Sequence, residues 1–167
     1  MNLSKLLLTT SVALAMFSSA AANAATVVFN FDDLGDQIAV PGNYGGASWS
    51  GFTSAALFGA TSQPNIAYTS DPTGILDYSA GFTGLSFSAG VFSPGTFTVF
   101  SGLGGTGTQL GSLTIDNPPA NPFAFFPTSV AFSGIGQSVV VTGGASQIGW
   151  DDVTLTTITG AVPEPAT

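Results

Sequence analysis

From Thr26 onward the apolar residues never settle onto one face of a helix. They fall in short runs, several of them alternating, and each run is closed by Gly, Pro, Asn or Ser, which is the punctuation of strands and turns. It predicts strands at 26–31, 47–54, 56–60, 66–70, 84–88, 96–102, 109–115, 123–132, 137–142 and 147–158. Many short strands, each with an apolar side to bury, require a second sheet over the first, so the expectation is an all-β, antiparallel β-sandwich. The clearest pair is 97–101 with 109–115, around a loop that holds Gly102, Gly104, Gly105 and Gly107. Gly takes positive φ without a Cβ clash, so the segment reads as a hairpin. As a phosphate cradle the same loop lacks a following helix and a cation. Residues 116–122 read as a linker between strands and mark no domain boundary.

Side chains alternate across a strand, so Val27, Phe29 and Phe31 share one face, while Trp150, Asp152 and Thr154 oppose Asp151, Val153 and Leu155. The chain holds 14 Phe. Burying each contributes about 1.5 to 3 kcal/mol, enough in sum to supply much of the drive to fold without disulfides. Disulfides are excluded in any case, because there is no Cys.

The one basic residue of the 167 is Lys5, there is no His, and the nine acids all follow Lys5. A nucleic-acid partner is excluded, since nothing can displace counterions from phosphates. Ser-His-Asp, Cys-His and Ser-Lys nucleophiles are excluded for want of a nitrogen base or a thiol. Lys5 itself lies in MNLSKLLLTTSVALAMFSSAAANA, a charged start, an apolar stretch too short to span a bilayer, and a small-residue ending at Ala22-Asn23-Ala24. Residues 1–24 therefore read as a secretory signal peptide, and 25–159 as the β-sandwich domain.

Residues 160–167 carry Val162, Pro163, Glu164, Pro165, Ala166 and Thr167. VPEPAT resembles the opening of the PEP-CTERM sorting signal, which in that family is followed by an apolar span and an Arg cluster that are not present after Thr167. The resemblance implies an extracellular or outer-surface protein of a Gram-negative bacterium, an exosortase as partner when the sorting tail is complete, and association with exopolysaccharide and the biofilm matrix. Read without the resemblance, the segment is a Pro-rich tail that ends the last strand.

The acids gather as Asp32, Asp33 and Asp36 after the first strand and as Asp151 with Asp152 in the last. If Val153 and Leu155 face the core, so does Asp151, and a carboxylate buried without Lys or Arg needs backbone N–H groups, a proton or a metal. Ca²⁺ suits an all-oxygen donor set, whereas zinc prefers the missing His and Cys. FNFDDL and IGWDDVTLTT also resemble the first and last strands of carbohydrate-binding-type jelly rolls. That resemblance implies a jelly-roll body with a structural Ca²⁺ at Asp32 and Asp151, Asp33 and Asp152 being secondary. The alternative is that FDDL is a solvated turn or cap and DDV an exposed strand end.

Five aromatic residues have a flat face and a polar tip suited to sugar rings: Tyr44, Trp49, Tyr68, Tyr78 and Trp150. Trp49, in GNYGGASWSGF, has small neighbours that leave room for a ligand, and Tyr44 lies beside it; Trp49 also fits a core position. The reading is a secreted or surface-displayed, non-catalytic sandwich of the matrix. The alternatives are a carbohydrate-binding module and, third, a glycoside hydrolase using two carboxylates.

Overall fold

The computed structural model describes residues 23–57, 59–116 and 124–159. The signal segment up to residue 22, the linker residues 117–123 and the tail with Val162, Pro163, Glu164 and Pro165 lie outside the described residues. Among the described residues there are 13 strands and one 3-10 turn, Leu103–Gly105. In chain order the strands are β1 (Asn23–Phe29), β2 (Ile38–Ala39), β3 (Asn43–Tyr44), β4 (Ala47–Ser50), β5 (Phe52–Ala56), β6 (Asn65–Thr69) and β7 (Thr73–Phe82). They continue with β8 (Gly84–Val91), β9 (Gly95–Phe100), β10 (Gln109–Ile115), β11 (Phe126–Val130), β12 (Gly136–Gly143) and β13 (Ile148–Thr159).

Two antiparallel sheets form the expected jelly-roll sandwich. One has seven strands in the order β11-β8-β13-β6-β5-β2, with β1 also paired to β13; the other has six, in the order β10-β9-β12-β7-β4-β3. The predicted hairpin is β9 with β10, in a register that places Thr96 opposite Thr114 and Thr98 opposite Ser112. Their hydroxyls meet on the outer face at 3.1 and 3.3 Å, while Phe97 and Val99 turn inward. The core is a cluster of rings drawn from both sheets. Trp150 of β13 stacks on Phe52 of β5 (5.2 Å, 21°) and meets Trp49 of β4 edge-on across the sandwich (5.6 Å, 73°). Such ring pairs contribute about 0.5 to 1.5 kcal/mol each beyond the area they bury.

Three strand expectations are corrected. The run 47–54 is two strands in different sheets, because Gly51 has φ 73° and turns the chain from β4 across to β5. A Cβ there would lie 2.5 Å from the Thr73 carbonyl oxygen, so the crossover requires Gly. Of 56–60, Ala56 ends β5, and the Ala60 N–H donates back to the Leu57 carbonyl in place of a strand pairing. The ten-residue β7, which carries Leu76 into the core, has no counterpart in the predicted strands.

The alternation expected around Trp150 also breaks. Asp152 has φ 50° and the register against β8 slips between Asp151 and Thr154, a bulge that lets Trp150 and Val153 both enter the core. Asp151, next to Trp150 in regular strand, therefore points away from the intersheet core, toward the segment around Ser62.

Candidate functional site

The end of the sandwich where β1 leaves β13 gathers the acids. Asp151 is fully buried, and its carboxylate accepts the Ser62 N–H on Oδ2 (2.8 Å) and the Ser62 hydroxyl and Asp152 N–H on Oδ1 (3.0 and 2.8 Å). Burial pushes its pKa up, and the Ser62 donors pull it back in part. Asp32 Oδ1 accepts the Asn65 N–H at 3.0 Å, so the turn after β1 and the last strand both grip the segment 62–65. Asp36 Oδ1 accepts the Ala56 N–H at 2.9 Å, and Asp33 Oδ1 accepts the Tyr44 hydroxyl at 2.6 Å. The acidic turn thus fastens three neighbouring segments through their hydrogen-bond donors.

The implied Ca²⁺ needs six to eight oxygen ligands. Around Asp32 and Asp151 the partners are N–H and O–H groups, whose positive ends already face the carboxylates. Asp33 is engaged by Tyr44, and Asp152 enters the local bonding through its backbone, its carbonyl accepting the Thr154 hydroxyl. Among the described residues no three Asp, Glu, His or Cys side chains gather where a metal could sit. The residues present do not fit the ion.

Trp49 is corrected from ligand platform to core residue. It is 3 % exposed, with Phe29, Phe31 and Phe52 edge-on to it at 5.1 to 5.5 Å, and its indole N–H donates to the Tyr44 carbonyl. The small neighbours that suggested room for a ligand make room for rings of the protein itself: a Cβ on Gly45 would lie 2.7 Å from the Phe29 ring. Tyr44, the other expected ligand residue, is a strut. Its ring stacks on Phe31 (5.5 Å, 22°), and its hydroxyl sits between the Phe31 N–H at 3.1 Å and the Asp33 carboxylate. Burial first, then Asp33, pushes that phenol far above its ordinary pKa, so it stays protonated.

Of the five aromatic candidates, Tyr68 lines an open cleft. The cleft, about 190 Å³, lies on the outer face of the seven-stranded sheet, walled by Tyr68, Phe92, Leu57 and Ile66, floored by Gly149 and rimmed by Ser146. Gly149 sits opposite Tyr68 on one side and Gly90 on the other, and the space that their missing side chains leave is taken by the ring of Phe125 and, at Gly149, by Ile66. The Tyr68 hydroxyl donates to Gln37 Oε1 at 3.0 Å, which fixes the ring and holds a polar edge beside an apolar face. That pairing suits a pyranose, whose axial C–H face is apolar and whose rim carries hydroxyls. Among the described residues no carboxylate lines the cleft.

The solved structures similar to this chain include a family 29 carbohydrate-binding module at 16 % identity and TM-score 0.52, over 81 % of this chain and 90 % of that one. The shared architecture is the two-sheet antiparallel jelly-roll sandwich. A mutant family 29 module complexed with cellulohexaose is similar at 15 % identity and TM-score 0.52, over 83 % and 94 % of the two chains. The K2 cleaved adhesin domain of Lys-gingipain matches at 12 % identity and TM-score 0.56, over 80 % and 98 %. At such identities the likeness is one of fold. No family's sequence model matches the chain, and no curated protein does. Among the described residues no helix is long and apolar enough to cross a membrane.

Proposed function

We propose that this protein is an exported, non-catalytic carbohydrate-binding domain that holds neutral polysaccharide in the Tyr68 cleft. The observation that carries the reading is the cleft itself, an aromatic and apolar trough with hydroxyl-bearing rims on the face of a sandwich similar to a module complexed with cellulohexaose. The charge supports the choice of ligand. A chain of formal net charge −8, with no cation after Lys5, repels uronates and sulfated glycans and leaves neutral ones. A non-catalytic role is supported by the acids: Asp32, Asp33, Asp36 and Asp151 are engaged by hydrogen-bond donors, and none of them is among the residues that line the cleft.

The finer reading joins this domain to its ends. A signal peptide at 1–24 exports it, and the PEP-CTERM-like Val162-Pro163-Glu164-Pro165 hands it to an exosortase when a span and an Arg cluster follow. Such a domain belongs in an extracellular matrix, where it binds the exopolysaccharide around it. Affinity electrophoresis through soluble neutral β-glucan, mannan and xylan tests the reading. The native domain is expected to be retarded by at least one of them, and Tyr68→Ala to lose about ten-fold in affinity, or about 1.4 kcal/mol. Unretarded migration in all three would overturn it.

A further inference from the structure

The outer face of the six-stranded sheet carries a second cleft, about 310 Å³, lined by Asn43, Ser48, Asp77, Ser79 and Leu103. It is built differently from the Tyr68 cleft. Asn43 pairs with Ser48 across β3 and β4, Ser48 with Asp77 across β4 and β7, and Asp77 with Ser138 across β7 and β12. An amide, a hydroxyl and a carboxylate therefore run in a row across the strands. The wall above this row is the Gly-rich loop between β9 and β10.

That loop is held far more firmly than a connection between two strands requires. The Gly104 N–H donates to Asp77 Oδ1 at 2.7 Å, the Gly105 N–H donates to the Ser138 hydroxyl at 3.0 Å, and the same hydroxyl donates to the Gly102 carbonyl at 2.6 Å. Within the loop, the Thr106 hydroxyl donates to the Leu103 carbonyl and the Thr108 N–H to the Ser101 hydroxyl. Gly104, with φ 64°, takes a conformation that L side chains rarely adopt, and a Cβ on Gly105 would lie 2.7 Å from Val140. Three glycines within four residues, Gly102, Gly104 and Gly105, thus bring backbone down onto the sheet, and Leu103 stands between the first two, 44 % exposed, at the cleft. An exposed Leu fixed in place beside a row of polar groups is a preorganised surface, which reduces the ordering cost of binding.

We propose that this is a second saccharide cleft, and that the domain is divalent, holding one neutral glycan strand on each outer face. The inference rests on the saccharide-binding reading of the first cleft. Leu103 supplies the apolar contact to the C–H face of a hexose. Asp77, oriented by the Gly104 N–H on Oδ1, accepts from sugar hydroxyls through Oδ2, and Asn43, Ser48 and Ser79 both donate and accept. A carboxylate with no cation beside it excludes an acidic sugar here as well. With clefts on opposite sheets, two strands held by one domain are joined, which makes the protein a cross-link between polysaccharide chains.

The test uses cellohexaose for stoichiometry by calorimetry and soluble β-glucan viscosity for cross-linking, with native protein, Tyr68→Ala, Ser79→Trp and the double variant. Ser79 is exposed and the hydrogen bonds that anchor the loop run to Asp77 and Ser138, so Trp at 79 fills the second cleft without removing an anchor; unchanged melting confirms the fold. The expected result is two oligosaccharides per native chain, one per single variant and none for the double, with a viscosity increase that only the native protein produces. One site in the native protein, lost with Tyr68→Ala and unaffected by Ser79→Trp, overturns the second cleft and leaves the first standing. No binding of cellohexaose by any form overturns the divalent reading, and the saccharide reading of the first cleft falls with it when β-glucan, mannan and xylan all fail to retard the native domain.

Discussion

Replacing Asp151 with Ala removes the acceptor for three donors at once: the Ser62 N–H, the Ser62 hydroxyl and the Asp152 N–H. The hydroxyl can rotate to another partner, but the two backbone N–H groups cannot. Each buried donor left unsatisfied costs about 1 to 3 kcal/mol, offset in part because a buried charge is removed with the side chain. The net loss is about 2 to 4 kcal/mol, or roughly 6 to 15 °C in Tm for a domain of this size. Asp151→Asn keeps one oxygen acceptor and sets its amide N–H₂ against one donor, so it should lose about half as much. The pH dependence separates charge from hydrogen bonding. Burial raises the Asp151 carboxyl above its ordinary 3.8, so the folded chain holds that proton more tightly than the unfolded chain does. This contribution to stability is fully present below 3.8 and is lost as pH rises through the raised folded value. Differential scanning fluorimetry on Trp49 and Trp150, both buried in the core, reads the transition directly. Native protein should show a fall in Tm across that window that Asp151→Asn lacks. An Asp151→Ala variant melting within about 2 °C of native, or identical pH slopes in native and Asn forms, would refute the reasoning.

Because Asp32 and Asp151 are satisfied by protein donors, Tm in EDTA and in millimolar Ca²⁺ should agree; a Ca²⁺-dependent rise of about 5 °C or more would restore the ion. Trp49→Phe should cost about 1 to 2 kcal/mol by denaturant titration and leave glycan affinity unchanged, whereas lost affinity in a folded variant would return Trp49 to the binding surface. Affinity for a neutral glycan should hold steady between low and high salt, and polygalacturonate should not bind; tight, salt-sensitive binding of the polyuronate would contradict the charge argument.

The fold class was legible because turn residues and period-two runs act locally, and the β9–β10 hairpin declares itself in its glycines. What escaped depends on tertiary context. Gly51 looks like any residue within 47–54 until the opposite sheet is there to receive β5, and the chain then crosses at that one positive φ. β7 reads TGILDYSAGF, whose inward Gly74 and Leu76 alternate with Ile75 and Asp77, so hydropathy shows no clean stripe. The space left by Gly74 is filled by the Phe52 ring from the other sheet, which no local window contains. The same cause misdirected the aromatic candidates. Glycines beside Trp49 indicate space, and only the packed sandwich shows that Phe29 occupies it; the glycines beside Tyr68 are likewise covered, by Phe125, and the opening lies instead between the side chains of Tyr68, Leu57 and Phe92. Asp151, expected on the core face with Val153 and Leu155, is a buried carboxylate in need of partners on the other side of the strand. The bulge at Asp152 decides that those partners come from the Ser62 segment, and a bulge is invisible in a pattern read at strict alternation.

The most direct test of the central claim is a titration of the ¹⁵N-labelled native domain with cellohexaose, followed by amide chemical shifts. Glycan held against the face of the seven-stranded sheet should move the amides of Tyr68, Phe92, Ser146 and Gly149 along saturating curves. The amides around Trp49 and Asp151 should stay in place. Amides of the Tyr68 cleft that remain unmoved at millimolar ligand, while others saturate or none do, would contradict the account.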